Sequence, residues 1–143
     1  MYNGGDNITL SFDVSGSDFS SCGTASEEVK RRLKQLGIAP QTVRRIAIAM
    51  YEGEVNMVIH AGGGKAEAVI YTDRIEITLS DSGPGIEDVE KAMTEGYTTA
   101  GDKVRELGFG AGMGLPNMKK YTDELKIESQ VGVGTKVYMR VNF

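Results

Sequence analysis

Residues 47–61, AIAMYEGEVNMVIHA, decide the fold. The stretch reads as a helix with a polar stripe through an otherwise apolar segment. Glu52, Asn56 and His60 stand at i, i+4 and i+8 and share one face. Ile46, Ile48, Met50, Val55, Met57, Val58 and Ile59 flank that stripe. A helix apolar around most of its circumference is a buried one. A carboxylate and an amide on such a helix need partners. A metal–nucleotide site would supply them, and so would a closed hydrogen-bond network; this stretch alone leaves both open. Glu54 points away from Glu52 and is expected to make a structural contact.

Pro40 opens this helix, since proline is tolerated in a first turn, and Gly62-Gly63-Gly64 ends it. Upstream, residues 8–14 (ITLSFDV) alternate apolar and polar and read as a strand. Thr24 or Ser26 is expected to cap a helix through EEVKRRLKQLG, with Val29, Leu33 and Leu36 inward and Gly37 as its stop. Its Lys30, Arg31, Arg32 and Lys34 form a solvated face, or in a less favoured reading a docking patch for an acidic partner. Downstream, residues 66–71 and 75–79 form a hairpin, and Asp81-Ser82-Gly83-Pro84-Gly85 breaks it. A short helix over 86–93, a glycine-rich mobile loop over 94–113, a helix over 115–125 and a closing hairpin of 126–130 with 135–141 complete the chain. Strand pairs separated by helices predict an α+β fold. The expected form is a two-layer sandwich, with helices on one face of a mixed, mostly antiparallel sheet.

The chain has 143 residues, one domain of common size over 1–143, with 40% hydrophobic and 25% charged residues. A net charge of −4 gives no electrostatic footprint for nucleic acid. No apolar run approaches the ~20 residues of a membrane span. The N-terminus lacks the basic and apolar regions of a signal peptide, and the lone Cys22 has no disulfide partner. A cytoplasmic protein is the simplest reading, with Cys22 an ordinary residue before a helix.

Three separated elements carry chemistry. In the first, the Asn56 amide oxygen suits Mg²⁺, which takes few protein ligands, and Glu52 one turn earlier can accept a proton from a hydroxyl. In the second, Asp81 ends a strand where it can accept a hydrogen bond from an amino group such as that of adenine. Gly83 and Gly85 there permit close approach. Taken alone, this element is better read as an ordinary Asx turn. The third is Gly108-Phe109-Gly110-Ala111-Gly112-Met113-Gly114, leading into a helix. Alternating glycines expose backbone N–H groups suited to phosphate. It lacks the Gly-Lys-Ser/Thr ending of a P-loop. Gly132-Val133-Gly134-Thr135 is a tight turn that offers the Thr135 hydroxyl.

In this order the motifs resemble the GHKL ATPase superfamily, which includes DNA gyrase, heat-shock chaperones, histidine kinases and bacterial anti-sigma and switch serine kinases. The motifs are Glu-x-x-x-Asn-x-x-x-His-Ala, Asp-x-Gly-x-Gly, the glycine box and Gly-x-Gly-Thr. The small serine-kinase branch looks most similar, taking the chain as a bare domain with no phosphoacceptor segment before it. The resemblance implies ATP and Mg²⁺ as cofactors. It implies Asn56 holding the metal, Glu52 as base, and Asp81 on adenine with Gly83, Gly85 and Thr135. Gly108, Gly110, Gly112, Met113 and Gly114 would close over the phosphates, with residues 94–111 as a lid. The activity implied is phosphoryl transfer to a serine or threonine of a small regulatory, anti-anti-sigma-like partner. The alternatives are a nucleotide-dependent module that sequesters a sigma factor without significant catalysis, and a histidine-kinase-like ATPase domain. An apolar exposed face on the first helix or strand would serve a homodimer.

Overall fold

The computed structural model describes residues 7–16, 22–86, 88, 89, 93 and 114–143. In chain order the elements are strand β1 (Ile8–Ser15), helix α1 (Thr24–Gln35), helix α2 (Pro40–Ala61), strands β2 (Gly63–Ile70) and β3 (Arg74–Asp81), helix α3 (Gly114–Lys120), and strands β4 (Glu124–Gln130) and β5 (Gly134–Asn142). The sheet runs β1-β2-β3-β5-β4, and each of its four pairings is antiparallel. The α+β sandwich expected from the sequence is present.

Period-two alternation decides which face of the sheet is covered. Ala66, Ala68 and Ile70 of β2, Ile75, Ile77 and Leu79 of β3, and Val137, Met139 and Val141 of β5 are buried in one core with the helices. The alternate positions carry charge. Arg74 pairs with Asp73 and Glu76, and Arg140 with Glu124. Helix α2 lies along the covered face with Val43, Ile46, Ala49, Met50, Met57 and Val58 buried. At Gly53 it approaches so closely that any side chain there would collide with Leu79 on β3. Gly62 then ends α2 with a left-handed φ of 73°, a conformation glycine adopts without steric penalty.

Four sequence expectations shift. Helix α1 has no side-chain cap from Thr24 or Ser26; Gly23 occupies the cap position with φ 99°. Leu36 is 45% exposed, because the helix ends at Gln35 and Gly37 turns the chain away, so the inward stripe is Ala25, Val29 and Leu33. Gly63 and Gly64 belong to β2 rather than to the helix stop. The helix expected over 115–125 ends at Lys120. Glu124 and Leu125 already pair with Arg140 and Met139 of β5, and ladder pairing outweighs their helical propensity. The short helix expected over 86–93 falls largely outside the described residues, as does the loop over 94–113.

Candidate functional site

Two carboxylates on α2 meet different surroundings. Glu54 is 2% exposed and belongs to the α1 side. One of its oxygens accepts the backbone N–H groups of Gly23 and Ala25 at 3.1 and 3.3 Å, and the other accepts that of Ser26 at 2.6 Å. These are among the donors that a helix N-terminus leaves without partners. Glu54 therefore caps α1 from another helix, which is why the local Ser and Thr are not needed. The structural contact expected of Glu54 is present, and the deeply buried carboxylate of this helix is Glu54 rather than Glu52.

Glu52 is half-buried on the α3 side. Burial pushes its carboxyl above the ordinary glutamate range, and a side-chain hydrogen bond from Asn117 of α3 opposes the rise. One turn on, Asn56 is half-buried and its Nδ2 donates to Met118 Sδ at 3.9 Å. Met118 is fully buried, so the amide is held by a fixed neighbour. With the nitrogen turned to sulfur, the amide oxygen is the end left for a ligand; among the described residues it accepts no hydrogen bond. His60, the third residue of the stripe, is half-buried, and burial holds its imidazole below the usual histidine range, so it stays neutral at pH 7.

Asp81 ends β3 opposite Thr135 of β5. Its Oδ1 accepts the N–H of Gly83 at 3.0 Å and the N–H of Thr135 at 3.2 Å. The Asx turn is therefore real, and it is also what aims the side chain. Both bonds fall on Oδ1, and among the described residues Oδ2 accepts none. A side chain at Gly83 would place its Cβ 2.6 Å from Ala61 Cα, and one at Gly85 would strike the Gln130 carbonyl. The first contact seats this corner against the C-terminal end of α2. Ala61 lies five residues after Asn56, about 7.5 Å along the helix axis. Asp81, 25 positions after Asn56 in sequence, is thus brought to the C-terminal end of the helix that carries Asn56.

Gly114 is the first residue of α3, the helix that carries Asn117 and Met118 to Glu52 and Asn56. Gly108, Gly110, Gly112 and Met113, and the lid expected over 94–111, lie outside the described residues. Thr135 joins Asp81 as expected. Its Oγ1 lies 2.8 Å from Ser129 Oγ on β4. Asn117, Met118 and Ser129 were missed in the sequence. Asn117 and Met118 follow the glycine box directly, and that adjacency was the available signal.

The donors present suit Mg²⁺ and a nucleotide. Among the described residues no group of three His, Cys, Asp or Glu could hold a metal alone. Mg²⁺ takes few protein ligands and fills the rest of its shell with water and phosphate oxygens, so one amide oxygen such as that of Asn56 is a chemically suitable donor. Asp81 keeps Oδ2 without a partner among the described residues, and the two glycines beside it let the chain pack against Ala61 and Gln130.

A model of the histidine kinase-like ATPase domain matches residues 17–141. The serine/threonine-protein kinase RsbT of Bacillus subtilis is 34% identical over 108 residues, 73% of this chain and 75% of that protein. An anti-sigma F factor of Caldanaerobacter subterraneus is 39% identical over 110 residues, 73% of each chain. The solved structure of the mycobacterial sensor histidine kinase MprB is similar in fold, with a TM-score of 0.53 at 16% identity over 94% of this chain and 97% of that one. Among the described residues no helix is long and apolar enough to cross a membrane. By these matches the chain belongs to the histidine kinase-like ATPase family, in the GHKL branch of anti-sigma factors and switch serine kinases.

Proposed function

We propose that this protein binds Mg-ATP and transfers the γ-phosphoryl group to a serine or threonine hydroxyl of a small regulatory protein. The observation that carries the reading is Glu52. It is a half-buried carboxylate one turn before the amide of Asn56, with its proton affinity raised by burial and, among the described residues, the Asn117 amide as its hydrogen-bond partner. A structural carboxylate in this helix looks like Glu54, with all its partners in place.

Asn56 Oδ1 would hold Mg²⁺, and the ion would neutralise charge on the phosphate oxygens. Asp81 Oδ2 would accept the adenine amino group, with Thr135, Gly83 and Gly85 beside it. The backbone of Gly108, Gly110, Gly112, Met113 and Gly114 would cradle phosphate, and residues 94–111 would act as the lid. Glu52 would take the proton of the attacking hydroxyl. Phosphoryl transfer asks mainly for positioning and charge neutralisation, so one base and one oriented amide are a sufficient protein contribution.

A second reading, a nucleotide-regulated module that holds a sigma factor, is favoured by the anti-sigma F factors among the relatives. The two activities can reside in one protein. Retention of partners on the immobilised protein with ATP, followed by mass spectrometry for phosphoserine and phosphothreonine, separates them. A phosphorylated partner with wild-type protein, and an unmodified one with Glu52→Ala, is the expected result. Retained but unmodified partners in both cases would leave only the binding module.

A further inference from the structure

Ser129 lies on the edge strand β4, outside every motif, yet its hydroxyl joins three parts of the Asp81 corner. It accepts the backbone N–H of Ile86 at 2.6 Å. It stands 2.8 Å from Thr135 Oγ1, its cross-strand neighbour. Its own proton can also reach the Gly134 carbonyl, at the longer distance of 3.3 Å. A hydroxyl has one proton and two lone pairs, so these three contacts are coupled. When Ser129 donates to Thr135 Oγ1, the proton of Thr135 is free for a ligand, and only the long contact to Gly134 is given up.

The result is a matched pair at the strand ends. Asp81 Oδ2 is an acceptor, and Thr135, backed by Ser129, is a donor. Adenine carries an amino donor next to a ring-nitrogen acceptor, whereas guanine places a carbonyl oxygen where adenine has the amino group. Guanine would turn that oxygen toward the Asp81 carboxylate. Ile86, held by the same serine, follows Gly85 directly, so Ser129 also fixes the loop carrying Gly83 and Gly85.

Resting on the ATP-binding reading above, we propose that Ser129 is a positioning residue for base selection: its hydroxyl holds Thr135 and the Ile86 backbone together so that Thr135 and Asp81 present a fixed donor and acceptor to adenine. The test is calorimetric titration of wild type, Ser129→Ala and Ser129→Thr with Mg-ATP and Mg-GTP. Wild type prefers ATP. Ser129→Ala weakens ATP about fivefold, the weight of one hydrogen bond, and leaves GTP within about twofold, so the preference narrows. Ser129→Thr, which keeps the hydroxyl, restores it.

Thr135→Val removes the other half of the pair and narrows the preference alike, and the double variant adds nothing further, as expected for groups acting as a unit. This arm stands should Ser129→Ala fail to fold. Equal weakening of ATP and GTP in these variants, or an unchanged ratio, overturns the role of Ser129 while leaving the ATP site intact. Wild type that binds neither nucleotide overturns both readings, and wild type that binds both equally overturns base selection alone.

Discussion

Glu52 and Glu54 stand two residues apart on one helix, and their surroundings divide the molecule. Toward α1, Glu54 is buried and takes three backbone N–H groups across its two oxygens. Toward α3, Glu52 is half-buried, with a single amide from Asn117 opposing the effect of burial. On the α1 side both oxygens of Glu54 are consumed in joining two helices. The α3 side is left incomplete, with Asn56 Oδ1 taking no bond among the described residues. The general lesson is that burial alone does not mark a functional carboxylate. Burial combined with too few partners does, because the missing interactions are those a ligand supplies.

That contrast can be broken most sharply at the two glutamates themselves. Glu52→Ala should slow phosphoryl transfer by about 100- to 10,000-fold, the usual weight of a general base, with Mg-ATP affinity nearly unchanged. Single-turnover transfer with the phosphorylated partner quantified reads this directly, and a wild-type rate would remove Glu52 from the chemistry. Glu54→Ala should do the opposite. It leaves three N–H groups of the α1 start without their acceptor and should destabilise the protein by about 3 kcal/mol. At this chain length that is a fall of about 10 °C in Tm, seen by thermal melting. A Glu54→Ala protein that melts with wild type would mean α1 is held by other contacts.

A smaller effect sharpens the same comparison. Burial raises the Glu52 carboxyl above its value in the unfolded chain. A carboxyl raised in the folded state favours folding at low pH, and that advantage is lost as pH climbs through its folded value. Ionised Glu52 is therefore a mild burden at neutral pH, and Glu52→Gln should raise the Tm of the nucleotide-free protein there by under about 3 °C. The difference should vanish in acid below about pH 4, where both side chains are neutral. For the transfer reaction the sign reverses. The base works only when ionised, so the rate should fall with acid at a pH above that of an ordinary glutamate. A rate profile breaking at or below the ordinary glutamate value would show Glu52 to be unperturbed in the working enzyme.

Much of this was legible in sequence because it is local. The four-residue step from Glu52 to Asn56 puts both on one helix face whatever surrounds them. Asp81-Ser82-Gly83 forms its turn within three residues, the Asp81 carboxylate accepting the N–H of Gly83. What stayed hidden is what depends on distant partners. The cap of α1 sits 28 to 31 residues downstream, so the local Ser and Thr looked like the natural caps. Leu36 fits the apolar spacing of α1 but falls after the helix has ended, and only the turn at Gly37 reveals that. Ser129 reads as one more polar residue on an edge strand until the β4–β5 register sets it opposite Thr135. Glutamate and leucine at 124 and 125 suit a helix, and the pairing with β5 overrides them.

The central claim is that the open side of α2 is a Mg-ATP site built on Asn56. Its most direct test is calorimetric titration of ATP, with and without Mg²⁺, into wild type and Asn56→Ala. Wild type should bind ATP more tightly with Mg²⁺ than without. Asn56→Ala should lose that metal-dependent gain, weakening Mg-ATP by about 10- to 100-fold, the weight of one contact to a charged group. Equal Mg-ATP affinity in the two proteins would contradict it.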